Sequence, residues 1–386
     1  MHLAILTDGI TPFVTGGMQR HSANLVKYLL KEGVKITLVH CIVGDDSFPP
    51  KTEIYEQMKS DSRQLEIHTL RFPSFGAIPG HYMRESYRYS CMIYELLEPS
   101  WGDFDFIYAK GFTSWCLLEK KKKGKHIAPV GVKFHGYEMF HKIKNLKGKV
   151  EQFMLRPPVV FMNRNADVVF SYGGRLNEII LKIGVPEEKI ISIGSGIDDT
   201  WVLQKPPSES DTRRFLFIGR NERRKGLDDI KALDKHIGKL PIEFHFIGPI
   251  PKEKKLKSKN CRYHGEISDP AVLKSIIDRC QVLVAPSHAE GMPNVIMEAM
   301  SRGLAILTTD VGAVPILVSK ENGVLIRPSD RNALLEALNK FANMSSEELS
   351  MLRSTSIKKI NSEFLWTSVA RKTLHAIEKV TFTSGK

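Results

Sequence analysis

Twice along this chain a short apolar, β-branched run gives way to a segment of helical periodicity, and that repeated alternation restricts the fold more than any other feature. In the first half the strand-like runs are residues 2–6, 34–39, 106–109, 126–134 and 168–171, with helical segments at 18–31 and 174–183. A second start comes at 215–220, a clean apolar run closed by glycine, followed by strand-like 243–247, 282–285, 305–308 and 324–326. Helical segments at 227–239, 270–279, 331–342 and 346–360 are interleaved with these or follow them. Alternation of this kind is the pattern of doubly wound α/β domains. Residues 201–211, which hold Lys205-Pro206-Pro207-Ser208-Glu209-Ser210, have the composition of a linker. A chain of 386 residues accommodates two domains of ordinary size, each burying its own core.

The totals narrow the class of protein. Apolar residues make up 42% and charged residues 26%, the balance of a soluble globular chain rather than a disordered one. No window approaches ~18 uninterrupted apolar residues, so no membrane-spanning helix is expected. The first strand starts at His2, and no signal peptide is expected ahead of it. Five scattered cysteines without a C-x-x-C pair predict reduced thiols, a cytoplasmic setting and no zinc site. The net charge of +13 calls for a partner or a solvated surface. No nucleic-acid-binding signature accompanies it, so no nucleic-acid partner is expected. The run Lys120 to Lys123 and Lys125 reads equally as a solvated helix end. Lys142, Lys144, Lys147 and Lys149 alternate with Phe140, Ile143, Leu146 and Phe153, as an interfacial segment does at an anionic membrane surface.

The chemistry concentrates in residues 287–298, S-H-A-E-G-M-P-N-V-I-M-E. A buried strand over 280–285 leads through Pro286 into a loop, then into a helix from Asn294 that Gly303 ends. Pro293 suits the first turn of that helix. Glu290 falls in the loop and Glu298 in the second helical turn. The N–H groups around Met292, Asn294 and Val295 form an anion site by dipole and geometry. An anion cradle flanked by two carboxylates suits a phosphorylated, hydroxyl-rich ligand, for which a sugar nucleotide is the candidate. In residues 217–226, F-I-G-R-N-E-R-R-K-G, a strand ends and a cationic loop opens the next helix; its arginines and lysine suit contacts to phosphate. Gly16-Gly17 opens the first helix, though neither G-x-G-x-x-G nor a P-loop is present. His135 closes a strand at the edge where α/β proteins bind ligands. Asp103-Phe104-Asp105 reads as a strand-start acidic pair rather than a metal site.

The glutamate segment resembles the E-x7-E signature of the retaining GT-B glycosyltransferases (family 4, group 1 type), within the context P-S-x-x-E-G-x-P-x-x-x-x-E-A-M. The resemblance implies a GT-B fold: two Rossmann-like domains, with the site in the cleft. The first domain would cover 1–198 plus the final helix of 364–386 on the acceptor side, and the second 199–363 on the donor side. Glu290 would contact hydroxyls of the donor sugar and Glu298 the ribose. Arg220 and Lys225 map onto the family's diphosphate cations, with Arg223 and Arg224 surplus. Gly16 and Gly17 correspond to its glycine-rich loop and His135 to the histidine at the reacting sugar, while Glu138 would orient the acceptor. Gly219, Gly291, Met292, Pro293, Asn294 and Val295 would line the diphosphate and sugar. Gly265 and Ile267 would meet the nucleobase. Ser195 stands where the family's N-G-[VI]-D loop has asparagine, and Ala313 and Ile316 depart from its G-G-x-P loop. The implied activity is metal-independent, retaining hexosyl transfer from a nucleoside-diphosphate sugar, UDP-linked in preference to GDP-mannose. The acceptor would be a lipid-linked or cell-surface glycan precursor, the protein cytoplasmic or peripheral at the inner membrane face, with no cofactor beyond the co-substrate and no metal. A sugar-nucleotide epimerase or hydrolase on the same fold is the first alternative, and a non-catalytic protein binding anionic polymer or membrane the second.

Overall fold

The computed structural model describes residues 1–45, 47–76, 80–140, 146–208 and 212–384. The chain forms two compact units: Met1–Tyr172, Leu176–Gly196 and Trp366–Lys386 make one, Gly173–Arg175 and Ile197–Leu365 the other. The breaks fall two residues away from those expected at 198 and 364.

Seven parallel strands form the sheet of the first unit: β1 (His2–Leu6), β2 (Lys35–Ile42), β3 (Leu65–Arg71), β4 (Phe106–Lys110), β5 (Val130–Lys133), β6 (Val168–Ser171) and β7 (Ile190–Ser192), in the order β3-β2-β1-β4-β5-β6-β7. The chain reverses direction of travel across the sheet between β1 and β4, and the crevice outside the carboxyl ends of such strands is where α/β folds bind ligands. β4, β5 and β6 are buried along their whole length and β1 in all but its first residue, which is why they read as continuous apolar runs. The strand expected over 126–134 is confined to β5, because Pro129 just before it has no N–H to give the ladder. β3 escapes that reading because Glu66, His68 and Thr69 interrupt its apolar pattern.

The second unit has six parallel strands, β8 (Arg213–Ile218), β9 (Ile242–Ile247), β10 (Cys261–Tyr263), β11 (Val282–Ala285), β12 (Ala305–Thr309) and β13 (Gly323–Ile326), ordered β10-β9-β8-β11-β12-β13. Its reversal lies between β8 and β11. Phe215, Phe217, Phe244 and Phe246 stack from β8 and β9 into its core. The helix expected over 227–239 is broken at Leu233 into Leu227–Ala232 and Asp234–Ile237. Asp234, at the start of the second piece, turns its carboxylate to the N–H groups of Lys257 and Ser258 at 2.7 and 3.1 Å.

Two segments at the boundary behave differently from their composition. Up to residue 208, the linker-like stretch is docked on the second unit. Leu203 N–H donates to Ser301 O at 3.0 Å, and Arg302 to Trp201 O at 3.0 Å. The fully buried Arg353 guanidinium donates to Gly303 O and Pro207 O at 2.8 and 3.0 Å. The helix Trp366–Ser384 belongs to the first unit. Trp366, Val369, Ala370 and Ile377 enter its core beside Leu25, Tyr28 and Leu29 of the helix Gly17–Lys31. The Tyr28 and Trp366 rings stack at 6.2 Å, and Arg371 pairs with Glu32 at 3.0 Å.

Candidate active site

In the second unit, the loops that leave β8 and β11 are pressed together at neighbouring strand ends. Gly226 sits at φ +73°, and a Cβ there would lie 2.0 Å from Pro286 O, so only glycine fits. His288 N–H donates to Arg224 O at 2.7 Å and ties the loops across this contact. Glu290 is carried between them, 7% exposed. Its Oε1 accepts from Lys225 Nζ at 2.7 Å and Ser287 Oγ at 2.8 Å, while its Oε2 faces Arg224 Nη1 at 3.3 Å. A carboxylate removed from water is tolerable only with such partners. Arg224, surplus in the sequence reading, therefore joins Lys225 on Glu290. Arg220 lies apart from them, its side chain 68% exposed and 3.9 Å from Glu222.

The rest of the motif surrounds this ion pair. Gly312, at φ +53°, lets its loop approach so closely that a Cβ would meet Glu290 O at 2.0 Å; next to it, Ala313 N–H donates to Gly291 O at 2.8 Å. Pro293 is the N-cap residue rather than a first-turn residue: at φ −74° and ψ 115° its backbone is extended, and the helix is Asn294–Ser301. No side chain caps that helix, so its first N–H groups, from Asn294 and Val295, are available to an anion. Met292 is buried beside them, and Glu298 is half-buried one turn further on. Gly219 N–H donates to Ile247 O at 3.0 Å, and Gly265 O accepts from Gly248 N–H at 2.8 Å, with Gly265 at φ +71° and Ile267 half-buried nearby. One supporting set escaped the sequence reading: Asp229 accepts from His288 Nε2 at 2.6 Å and from Arg331 Nε at 2.8 Å. Burial raises the Asp229 pKa, but these two contacts outweigh it and hold the carboxyl below its ordinary range.

The first unit gathers a second cluster at the carboxyl ends of β4, β5 and β6. Lys110 and Lys133, register partners on β4 and β5, are both fully buried. Lys110 Nζ lies 2.7 Å from Ser22 Oγ, 2.9 Å from His21 Nδ1 and 3.2 Å from Met18 O, all on the helix opened by Gly17. Lys133 donates to Ile193 O at 3.1 Å and lies 4.1 Å over the Tyr172 ring. Burial lowers both amines, Lys110 well below its ordinary range with Lys133 adding repulsion, and Lys133 to about 7. His135 Nδ1 meets the Tyr172 hydroxyl at 2.6 Å, and the Ser195 hydroxyl hydrogen-bonds that phenol in turn. Burial first, and then the charges of Lys110 and Lys133, push His135 well below its ordinary pKa. The imidazole is therefore neutral. Ser195 donates to the phenol oxygen, the phenol gives its one proton to Nδ1, and the ring hydrogen is left on Nε2. That Nε2 and His21 Nε2 are buried without a protein partner. Gly16 lies beside this cluster, where a Cβ would meet Gln19 Oε1 at 2.2 Å. Sequence reasoning found His135 and missed Lys110, Lys133 and Tyr172, whose only signal is a polar residue closing or following an apolar strand, and His21, which lies within a helix.

Two further candidates lie outside both clusters. Asp105 accepts from His2 N–H at 2.7 Å ahead of β4, and among the described residues no group of three or more His, Cys, Asp or Glu is placed to hold a metal. Glu138 is exposed in a short turn, its carboxylate folded against Gly136. All five cysteines are free.

Comparison with known proteins agrees with this architecture. Residues 15–201 match the profile of Glycosyltransferase Family 4, and residues 212–343 that of Glycosyl transferases group 1. TuaC of Bacillus subtilis, named as a glycosyltransferase of teichuronic acid biosynthesis, is 26% identical over 46% of this chain and 47% of its own. The lipopolysaccharide 1,6-galactosyltransferase of Escherichia coli is 23% identical over 46% of this chain and 52% of its own. The matched region thus spans about half the length of these curated relatives. In fold, the sucrose-phosphate synthase of Thermosynechococcus elongatus superposes with a TM-score of 0.77 over 99% of both chains at 16% identity. Anabaena HepE, solved with UDP and glucose, superposes at 0.66 over 98% of this chain and 100% of that one, also at 16% identity. With a doubly wound sheet in each unit and both halves matched, the chain belongs to the family 4 glycosyltransferases of the GT-B fold.

Proposed function

We propose that the protein transfers a hexosyl group from a nucleoside-diphosphate sugar to an acceptor hydroxyl, with retention of anomeric configuration, in the assembly of a polysaccharide. The observation that carries this reading is the buried Glu290, held by Lys225 and Arg224 beside the uncapped helix that starts at Asn294. Glu290 accepts hydrogen bonds from hydroxyls of the donor sugar and Glu298 from the ribose. Arg220, Lys225 and the N–H groups of Asn294 and Val295 hold the diphosphate. As the bond from the anomeric carbon to the diphosphate oxygen breaks, the cations stabilise the charge that develops on the leaving group. The acceptor oxygen bonds to the anomeric carbon, and a leaving-phosphate oxygen takes its proton. In the first unit, the reading assigns His135 Nε2–H to a sugar oxygen.

Solved neighbours bound to UDP, UDP-glucose or UDP-2-fluoro glucose favour a uridine donor. Thermal shifts with UDP, GDP and ADP, each with and without EDTA, test the reading. Selective stabilisation by UDP that EDTA leaves unchanged is expected; no stabilisation by any nucleotide removes the diphosphate site, and EDTA sensitivity removes metal independence.

Peripheral attachment to an anionic membrane is proposed on one exposed patch. No described helix is long and apolar enough to cross a membrane. Near the start of the helix Leu146–Asn165, however, Val150 and Phe153 are 51% and 78% exposed, beside Lys149. Lys142 and Lys144 lie outside the described residues. Phe153→Glu is expected to weaken binding to phosphatidylglycerol vesicles several-fold; equal binding by the variant overturns this surface.

A further inference from the structure

Within the first unit, a cavity of about 210 Å³ opens at the carboxyl ends of four strands around the sheet reversal. Asp8 and Gln19 line it from the loop after β1 and the helix that follows, Phe72 from the end of β3, and Phe112 from the end of β4. Tyr82 and Tyr89 close it from the helix His81–Leu97. The rings pair as Phe72 with Tyr89 at 5.3 Å and Tyr82 with Phe112 at 5.9 Å. This is a wall of aromatic faces around one carboxylate. The Asp8 carboxylate has three local partners: Gln19 Nε2 at 3.4 Å from Oδ1, its own backbone N–H and the Thr7 hydroxyl. Charge around it is sparse. The buried Lys110 amine on β4, Cys41 on β2, and Tyr82 and Tyr89 on the helix are its titratable neighbours.

We propose that this cavity is an acceptor subsite that seats one neutral sugar ring, with Asp8 accepting hydrogen bonds from its hydroxyls and the aromatic rings covering its C–H face. The proposal rests on the transferase reading above and names the substrate class on its acceptor side. Size argues for one ring, since the volume lies below the ~300–1,000 Å³ of sites for drug-sized ligands. Position argues for a ligand, since the crevice beyond the strand ends at a reversal is where such sheets bind. Charge argues for a neutral ring. A uronic acid or phosphate would bring a second negative charge against a poorly solvated carboxylate, with the buried Lys110 amine as the nearest basic group. The aromatic walls supply apolar area with fixed geometry, and Asp8 supplies the directional contact.

Saturation-transfer NMR on the full chain tests this with methyl glycosides of glucose, galactose, mannose and N-acetylglucosamine, and with methyl glucuronide. Each is measured alone and with saturating UDP, GDP or ADP. At least one neutral glycoside is expected to bind, with the glucuronide weaker. Asp8→Asn, which keeps the shape of the side chain, and Tyr82→Ala, at a partly exposed position, are each expected to weaken it roughly tenfold. Melting curves with nucleotide report whether each variant is folded. The proposal is overturned if no neutral glycoside binds under any condition, if neither variant weakens binding, or if the glucuronide binds as well as the neutral sugars. Nucleotide stabilisation without glycoside binding removes the subsite and leaves the transferase reading. Glycoside binding that depends on Asp8, without any nucleotide effect, removes the transferase reading and leaves the subsite.

Discussion

In the second unit a buried carboxylate, Glu290, lies against two cations, whereas in the first unit two buried amines, Lys110 and Lys133, stand side by side among imidazoles and form no ion pair among the described residues. In the first arrangement opposite charges meet at hydrogen-bonding distance. The second sheds charge, because burial and like-charge repulsion both favour the neutral forms. The contrast separates two kinds of polar site: one fixed in charge and suited to a diphosphate, the other made of neutral donors and acceptors suited to hydroxyls.

The sharpest way to break the contrast is to remove the carboxylate. Glu290→Ala and Lys225→Ala are each expected to lower kcat by about 10²–10³-fold. Lys225 and Arg224 keep some exposure and rehydrate in the first variant, so a near-normal melting curve is expected alongside the loss. Near-normal turnover in either variant removes its assignment. Asp8 tests the first unit from the stability side. Burial, partly offset by Lys110, lifts its pKa from 3.8 to about 6. The folded state then binds more protons than the unfolded state between those values, so stability falls as pH rises through that window. Asp8→Asn removes the effect. In urea titrations it is expected to be the more stable protein at pH 7, by at most about 3 kcal/mol, with the difference vanishing below pH 4. A difference independent of pH contradicts the burial of that carboxyl.

The smallest effect sharpens the comparison most. Tyr172→Phe removes the hydroxyl that gives its proton to His135 Nδ1. Nitrogen-15 shifts of the His135 ring are expected to move from the Nε2–H tautomer to a mixture, with about a tenfold fall in kcat. An unchanged tautomer shows that the ring is ordered by packing alone.

How much of this was readable beforehand follows the same division. The Glu290 site is built from two contiguous segments, 220–226 and 287–298, and a local pattern suffices to find it. Which of four neighbouring cations turns onto Glu290 was not readable. The loops meet where Gly226 passes Pro286, and Arg224, surplus by resemblance, lies on Glu290 while Arg220 stays apart. The cluster in the first unit joins side chains from five distant places in the chain. In sequence, Lys110 and Lys133 look like the ordinary ends of strands. Only the parallel register of β4 with β5 makes them neighbours, and register is a property of the sheet rather than of either segment. His135 was legible because it stands at a strand end, but its tautomer required Tyr172 and Ser195, 37 positions from His135 in the first case.

The helix Trp366–Ser384 fills the core of the unit that the N-terminal residues begin. On a ribosome, which delivers the chain from its first residue, the order of completion is therefore inverted. Everything from Ile197 to Leu365 can close on itself while synthesis continues, yet the earlier sheet must wait with an apolar seam along Leu25, Tyr28 and Leu29 until the last helix emerges. The half made first is the half finished last.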